Sequence, residues 1–273
     1  MSSPTNTSST EAATDLGPQA RLPYPGPMCG RFTLAAADVA SIAHALGVQV
    51  EDLGAAYQPR YNLAPTDPHF VVRNKLEERK VVPARWGLVK YDSKDRKQAA
   101  RGINARAESV DTRPLFREAF KKRRCIVPAD GYYEWTGTKE NRQPFWFHRP
   151  NGQPMTFAGL YEWWQPQPDQ WEATFTIVTC PPNAMTGQIH DRMPVILPEE
   201  RVDDWIFAGE ENVDTLKSLL VPAPEAYLVS RPVSQRVNSV KNDTPDLINE
   251  LTDQVSGELP AESGQQLGLF ERS

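Results

Sequence analysis

Cysteine is scarce in this chain, and what there is lies scattered. Cys29, Cys125 and Cys180 are the three among 273 residues, and none forms a CxxC pair. An odd number at wide spacing excludes a disulfide framework and a cysteine zinc site, and it fits a reducing compartment. Cys125 and Cys180 belong to apolar, β-branched stretches and read as buried core thiols. Histidine is equally sparse. His44, His69, His148 and His190 are dispersed without ligand spacing, so neither a metal nor another cofactor is implied. No apolar run is long enough to span a bilayer, and residues 1–27 lack the apolar stretch of a secretory signal. The expectation is a cytoplasmic protein without a membrane partner. The predicted elements do not alternate as βαβα, and no repeat recurs at solenoid spacing.

The net charge of −5 argues, taken alone, against a nucleic-acid partner. Its distribution argues the other way. Residues 73–124 carry 17 Lys/Arg against 7 Asp/Glu, while residues 199–273 carry 6 against 15. A basic segment inside an acidic protein reads either as a phosphate-binding face or as a solvated surface with ordinary loops.

Residues 1–27 are rich in Ser, Thr and Pro and read as a disordered leader, or as sequence ahead of a start at Met28. A catalytic domain is expected over residues 28–250. The tail at 251–273 is polar and acidic and is expected to be disordered. Within the domain, a short strand is predicted at 29–34 and a helix at 36–46, with Val39, Ile42, Ala43 and Leu46 on one face. Residues 57–67 read as an irregular loop containing Pro65. Strands follow at 70–73 and 81–90, and Pro114 opens a helix that runs into Lys121-Lys122-Arg123-Arg124. The centre is β-rich, with strands at 125–127, 132–135, 145–148, 156–164 and 174–179. Asn151-Gly152 marks a hairpin turn between two of them. A short helix at 182–189, a strand at 195–197 and helices at 199–207 and 213–220 complete the reading. The fold class is α+β, one domain with a mainly antiparallel sheet or open barrel flanked by short helices.

Four stretches collect reactive side chains next to glycine, proline or a strand end. They are Met28-Cys29-Gly30-Arg31-Phe32, Asn104-Ala105-Arg106-Ala107-Glu108, Pro128-Ala129-Asp130-Gly131-Tyr132-Tyr133-Glu134-Trp135, and His190-Asp191-Arg192-Met193-Pro194. Together they offer a thiol, an amide, carboxylates, an imidazole and several guanidinium groups. Singly they remain ambiguous: Glu134 is either a catalytic carboxylate or half of a buried ion pair, and His190 either a catalytic group or a turn cap.

In combination these stretches resemble the SOS-response-associated peptidase (SRAP) family of abasic-site-processing proteins, from Cys29 to about Leu247. Tyr61-Asn62-Leu63-Ala64-Pro65-Thr66, Arg85-Trp86-Gly87-Leu88, Arg113-Pro114-Leu115-Phe116 and Val237-Asn238 with Asn242-Asp243 extend the likeness. The resemblance implies that an N-terminal cysteine captures the ring-opened aldehyde of an abasic deoxyribose in single-stranded DNA as a thiazolidine. An aldehyde condenses reversibly with an amine, and only a 1,2-aminothiol then closes a five-membered ring that traps it. By the same resemblance Cys29 supplies both nucleophiles and Glu134 is the general acid/base. His190 positions or protonates groups around the imine, and Asn104 holds the cysteine or the sugar. Arg31, Arg85 and Arg106 are implied phosphate contacts. Trp86 either stacks on a base or is a core aromatic. Relatives continue past Trp-Gly-Leu with a proline and a second tryptophan. Here Val89-Lys90-Tyr91 follows, leaving Tyr91 to take over part of the stacking.

Two features need their own account. Residue 29 must carry a free α-amine, yet 28 residues precede it, so either translation starts at Met28 and the methionine is removed, or the leader is cleaved. The other is Gln266, Leu267, Leu269 and Phe270, which resemble a Gln-Leu-x-Leu-Phe peptide that docks on the bacterial replication sliding clamp. That segment either docks so, placing the protein at the nucleoid and fork, or packs back on its own domain. The alternative function is a thiol peptidase or self-processing protein using Cys29 with His190 and Glu134.

Overall fold

Two sheets carry the fold, and their strands in chain order are β1 (Phe32–Leu34), β2 (Arg60–Leu63), β3 (Pro68–Lys75), β4 (Glu78–Trp86), β5 (Asn104–Arg106), β6 (Arg124–Ala129), β7 (Gly131–Gly137), β8 (Arg142–His148), β9 (Met155–Gln167), β10 (Gln170–Cys180), β11 (Met193–Pro194), β12 (Ile196–Leu197) and β13 (Val229–Pro232). The helices are short: α1 (Val39–Leu46), α2 (Val50–Leu53), α3 (Arg117–Lys122), α4 (Val202–Ile206) and α5 (Val213–Ser218). The computed structural model describes residues 30–54, 57–138, 140–207, 209 and 212–251. The leader, Cys29 and the tail with Gln266, Leu267, Leu269 and Phe270 lie outside the described residues.

The longest strands close a ring. β10 pairs with β9 along one edge and with β4 along the other, while β4 pairs with β3, β3 with β6 and β6 with β9. Closure leaves no free edge on those five strands. The ring is antiparallel except at β10, which runs parallel to β4 and to the short β5 beyond it. Ile126, Val127, Phe157, Phe175 and Ile177 are among its buried side chains. Gly159 allows the strands to approach closely, because a Cβ there would lie 2.7 Å from Val127 Cγ2.

The second sheet, in the order β13-β8-β7-β1-β2, packs against this barrel. Period-2 alternation gives it two faces. Phe32, Tyr132 and Phe147 join the barrel core, whereas Tyr133 and Trp146 join Val233, Val237 and Leu247 of the C-terminal segment. Each helix end has a local cause. Asp38 caps α1 by accepting from Ala40 N at 3.0 Å, and Gly47 ends it with φ +60°. Arg124, 3% exposed, donates to the carbonyls of Phe120, Lys121, Trp205 and Phe207, tying the ends of α3 and α4 to β6. Among the described residues no helix is long and apolar enough to cross a membrane.

The α+β reading holds, and several boundaries are corrected. The expected loop at 57–67 contains β2, because Pro65 falls just past the strand and Asp243 receives the Tyr61 amide at 2.5 Å. Residues 104–106 and 229–232 are strands that periodicity did not reveal. Asn151-Gly152 does turn the chain, with Gly152 at φ +68°. It is not a hairpin, however, because β8 pairs with β7 and β13 while β9 pairs with β6, β10 and β12. The turn hands the chain from one sheet to the other.

His69 lies where the sheets meet, its ring against Phe32 and Phe70, with Nε2 donating to Pro128 O at 3.1 Å. Burial holds its pKa down to about 3, against about 6.5 in an unfolded chain. Between those values the unfolded chain binds a proton that the native state refuses, so stability is lost as pH falls. His69→Phe is expected to make the acid limb of the stability curve shallower by about 1.4 kcal/mol per pH unit. Urea titrations from pH 7 to pH 4 measure it, and an unchanged slope contradicts it.

Candidate active site

The three residues of β1 are anchored on both sides. Phe32 and Thr33 pair with Tyr132 and Gly131 of β7, and Leu63 of β2 lies across from Phe32. The ladder runs on past β1, with Tyr133 N donating to Arg31 O at 3.0 Å. Gly131 sits in this ladder because a Cβ there would meet the Trp146 indole at 2.1 Å. Asp130, at the β6–β7 corner, accepts from the Thr33 hydroxyl and from Ala35 N at 2.6 Å. Burial raises its pKa, and those donors pull it back.

Arg31 and Asn62 secure the other end. Arg31 Nη1 donates to Asn62 Oδ1 at 2.9 Å and to Val237 O at 2.8 Å. Asn62, fully buried, donates to the carbonyls of Val237, Ser239 and Asn242. Burial lowers the Arg31 pKa, with Asp67 the largest opposing influence. The chain immediately before β1 is therefore held on a rigid platform. Gly30, the first described residue, is buried there.

Glu134 follows Tyr132 and Tyr133 on β7, so its side chain shares the barrel-facing side with Tyr132. It is 1% exposed. His190 reaches it from the 3-10 turn Thr186–Gln188 after β10, with His190 N donating to Thr186 O at 2.9 Å and the Tyr132 hydroxyl 3.4 Å from Thr186 Oγ1. His190 Nε2 stands 3.9 Å from Glu134 Oε2. That is wider than a hydrogen bond and close enough for one reacting atom to be shared. On the far side of the ring, Nδ1 accepts the Arg192 amide at 3.1 Å, which places the proton of the neutral ring on Nε2, toward Glu134. Asp191 Oδ1 is also 3.1 Å from Nδ1 and becomes its partner when the ring is protonated. Burial lowers the His190 pKa, partly offset by Asp191, so the neutral form prevails near neutral pH.

Asn104 lies half-buried on β5, its Cα opposite Ile177 of β10. The stretch it begins is bonded to the histidine stretch: Arg192, 8% exposed, grips both oxygens of Glu108 and donates to Thr179 O at 2.6 Å. Arg106 is exposed on the same short strand. The other expected DNA contacts are placed differently. Arg85 donates to Thr66 O at 2.7 Å and shares Glu172 with Arg96. Trp86 is corrected outright: it is 1% exposed, stacks on Phe175 and donates its indole N–H to Ile103 O. A side chain so enclosed has no face to offer a base. Tyr91, three residues beyond Leu88, is 63% exposed.

Sequence reasoning missed the roles of Asn62, Asp130 and the Glu108–Arg192 pair. All four lie inside motif stretches, yet nothing along the chain matches partners up to 180 residues apart. Among the described residues no group of His, Cys, Asp and Glu is arranged to hold a metal ion.

A closed barrel with a covering sheet, a buried carboxylate facing an imidazole, and a short strand anchored on both sides meet in one place. The chain belongs to the SOS response associated peptidase (SRAP) family, which it matches over residues 28–240. It is 36% identical over 222 residues to the abasic site processing protein YoqW of Bacillus subtilis, covering 81% of this chain and 99% of that protein. It is 31% identical to YedK of Escherichia coli over 232 residues, with 81% and 99% covered, and 31% identical to HMCES of Xenopus tropicalis over 249 residues, with 79% and 73% covered. Both carry the same descriptive name. A crystal structure from Bacteroides thetaiotaomicron shares the fold with a TM-score of 0.71 at 24% identity, over 82% of this chain and all of that one.

Asn62→Ala is expected to destabilise the protein by about 2–4 kcal/mol, since it removes one of the two acceptors of Arg31 Nη1 and, with the buried amide, the bonds to the carbonyls of Val237, Ser239 and Asn242. Denaturant unfolding measures it, and a loss below 1 kcal/mol, a threshold set by the usual worth of a single hydrogen bond, contradicts the hub role.

Proposed function

We propose that this protein processes abasic sites in single-stranded DNA by covalent capture at Cys29. The observation that carries the reading is the pairing of buried Glu134 with His190 Nε2 at 3.9 Å, beside the strand that begins three residues after Cys29. Cys29 is one peptide bond from Gly30, which is buried where the ladder continues toward Glu134. The relatives named for abasic-site processing support the substrate class.

The chemistry needs both groups of the cysteine. Its α-amine, with a reference pKa of about 7.7–8.0 against about 10.4 for lysine, attacks the C1′ aldehyde of the opened sugar. Loss of one water gives the imine, and addition of the thiol sulfur across C=N closes the thiazolidine, the thiol proton passing to nitrogen. Glu134 moves protons between the amine and the ring oxygen as the sugar opens. His190, neutral with its proton on Nε2, donates toward the imine region, and Asn104 holds the sugar or the cysteine by hydrogen bonds. The active species therefore has Cys29 at its N-terminus, by a start at Met28 or by cleavage of the leader. The family match beginning at residue 28 supports that boundary.

Arg106 is the exposed cation for a phosphate beside the lesion, and Tyr91 the exposed aromatic for a neighbouring base. Arg85, with 38% of its side chain exposed, and Arg31 contribute a positive field from within their internal bonds. Gln266, Leu267, Leu269 and Phe270 would tether the protein to the sliding clamp at the nucleoid.

One gel tests the mechanism. Protein beginning at Cys29 is incubated with single-stranded DNA carrying one abasic site and then denatured by heat. The wild type is expected to give a shifted band. Cys29→Ser is expected to give none unless borohydride traps its imine, and Glu134→Gln to form adduct roughly 100-fold more slowly. A wild type with no heat-stable band overturns the reading, and peptide cleavage dependent on the thiol alone favours the thiol peptidase. Deletion of residues 265–273 is expected to abolish retention on immobilised clamp, and unchanged retention refutes the tether.

A further inference from the structure

The Glu108–Arg192 pair lies outside the groups that meet the substrate, yet its geometry bears directly on them. Arg192 plays two parts with two different atoms. Its backbone N–H fills His190 Nδ1 at 3.1 Å. Its guanidinium is clamped by both Glu108 oxygens, one of them at 2.9 Å, and by Thr179 O at 2.6 Å on β10. Glu108 is held in turn. It ends the stretch that starts at Asn104, and Ala107 N donates to Thr179 O at 2.9 Å, so the carboxylate is fixed to the strand that receives Arg192. Lys217 of α5 braces the same turn, with Nζ 3.1 Å from Asp111 Oδ1 and 3.4 Å from Glu108 O.

We infer that Glu108 and Arg192 form a positioning clamp that holds the imidazole of His190 in its Nε2–H tautomer, facing Glu134. This rests on the proposed role of His190 in proton transfer. A free imidazole exchanges its proton between the two nitrogens. A fixed donor at Nδ1 favours the Nε2–H form, while the exposed carboxylate of Asp191 at Nδ1 favours a proton there, so the form adopted depends on how firmly the donor is held. The donor here is a backbone amide in a loop, and a loop amide keeps its direction only if its own residue is anchored. Arg192, 8% exposed and held at three oxygens, is that anchor.

The charged groups around the ring fit this division of labour. Glu134 faces Nε2, while Asp191, 74% exposed, stands at Nδ1 and favours the protonated ring. The Arg192 guanidinium disfavours that form. The Arg192 hydrogen bond lowers the Glu108 pKa, with Arg106 adding to the effect. The clamp therefore stays ionised at neutral pH.

The test reads the tautomer first, without reference to activity. In the full chain labelled with ¹⁵N-histidine, the two ring nitrogens of His190 are followed from pH 5 to pH 9 in the wild type, Glu108→Gln and Arg192→Lys. The wild type is expected to show one protonated and one bare nitrogen at neutral pH, and both variants to move the pair toward the averaged values of a free ring. Glu108→Gln keeps the shape of a half-exposed side chain, so it serves even where Arg192→Lys unfolds. A fixed Nε2–H form retained in folded Glu108→Gln overturns the proposal. Adduct formation by the same variants with Cys29 N-terminal is expected to slow by about tenfold. A shifted tautomer with an unchanged adduct rate leaves the clamp standing and removes His190 from the chemistry.

Discussion

The site hangs on the ladder between β1 and β7, which is only a few residues long. A strand of three residues has little stability of its own, and this one continues from Gly30, which is buried where the ladder runs on toward Glu134. Its register is held by groups outside the ladder. Asp130 grips Thr33 and Ala35 on one side, and Arg31 reaches through Asn62 to the carbonyls of residues 237–242 on the other. A slip of one residue would turn Phe32 out of the core and move Gly30 away from Glu134. The polar clamps therefore set position as well as stability, and their burial is what makes them strict.

The barrel supplies the rigidity against which that ladder is set. Because β10 closes the ring, its C-terminal end is a fixed point, and three site elements leave from it. β5 runs alongside with Asn104 and Arg106, β11 returns with Met193 and Pro194, and the loop between β10 and β11 carries His190. Glu134 arrives from the other sheet. The acid and the imidazole thus sit on separate layers whose spacing is set by the aromatic packing of Phe32, Trp86, His69 and Phe175 between them. Trp86 belongs to that aromatic packing, between Phe32 and Phe175.

Much of this was legible along the chain, and the failures share a cause. The helix expected at 36–46 is present from Val39, its start set by the cap at Asp38 that the apolar spacing passes over, and the β-branched and aromatic runs mark β6, β7, β9 and β10. Glu134 and His190 are ambiguous taken singly, and their roles are implied by the likeness of the ordered motif stretches to the SRAP family. What sequence withholds is partnership. Asn151-Gly152 signals a turn but cannot say which strands flank it as neighbours. Trp86 and Tyr91 look alike as aromatics in a basic stretch, and only packing separates the enclosed ring from the exposed one. Glu108 and Arg192 are opposite charges 84 positions apart, and no periodicity joins them.

Charge shows the same limit most plainly. The basic run at 73–124 suggests a broad cationic face, but the fold consumes much of it. Arg79 pairs with Asp203, Arg85 and Arg96 share Glu172, Arg123 binds Glu162, and Arg124 is buried among carbonyls. The acidic partners come from later in the chain, Asp203 from the acidic segment at 199–273 and Glu162 and Glu172 from between the two, so part of the basic run is neutralised within the fold. Arg106 stays exposed on the strand that also carries Asn104. The fold, and no tally of charges along the chain, decides which cations stay exposed.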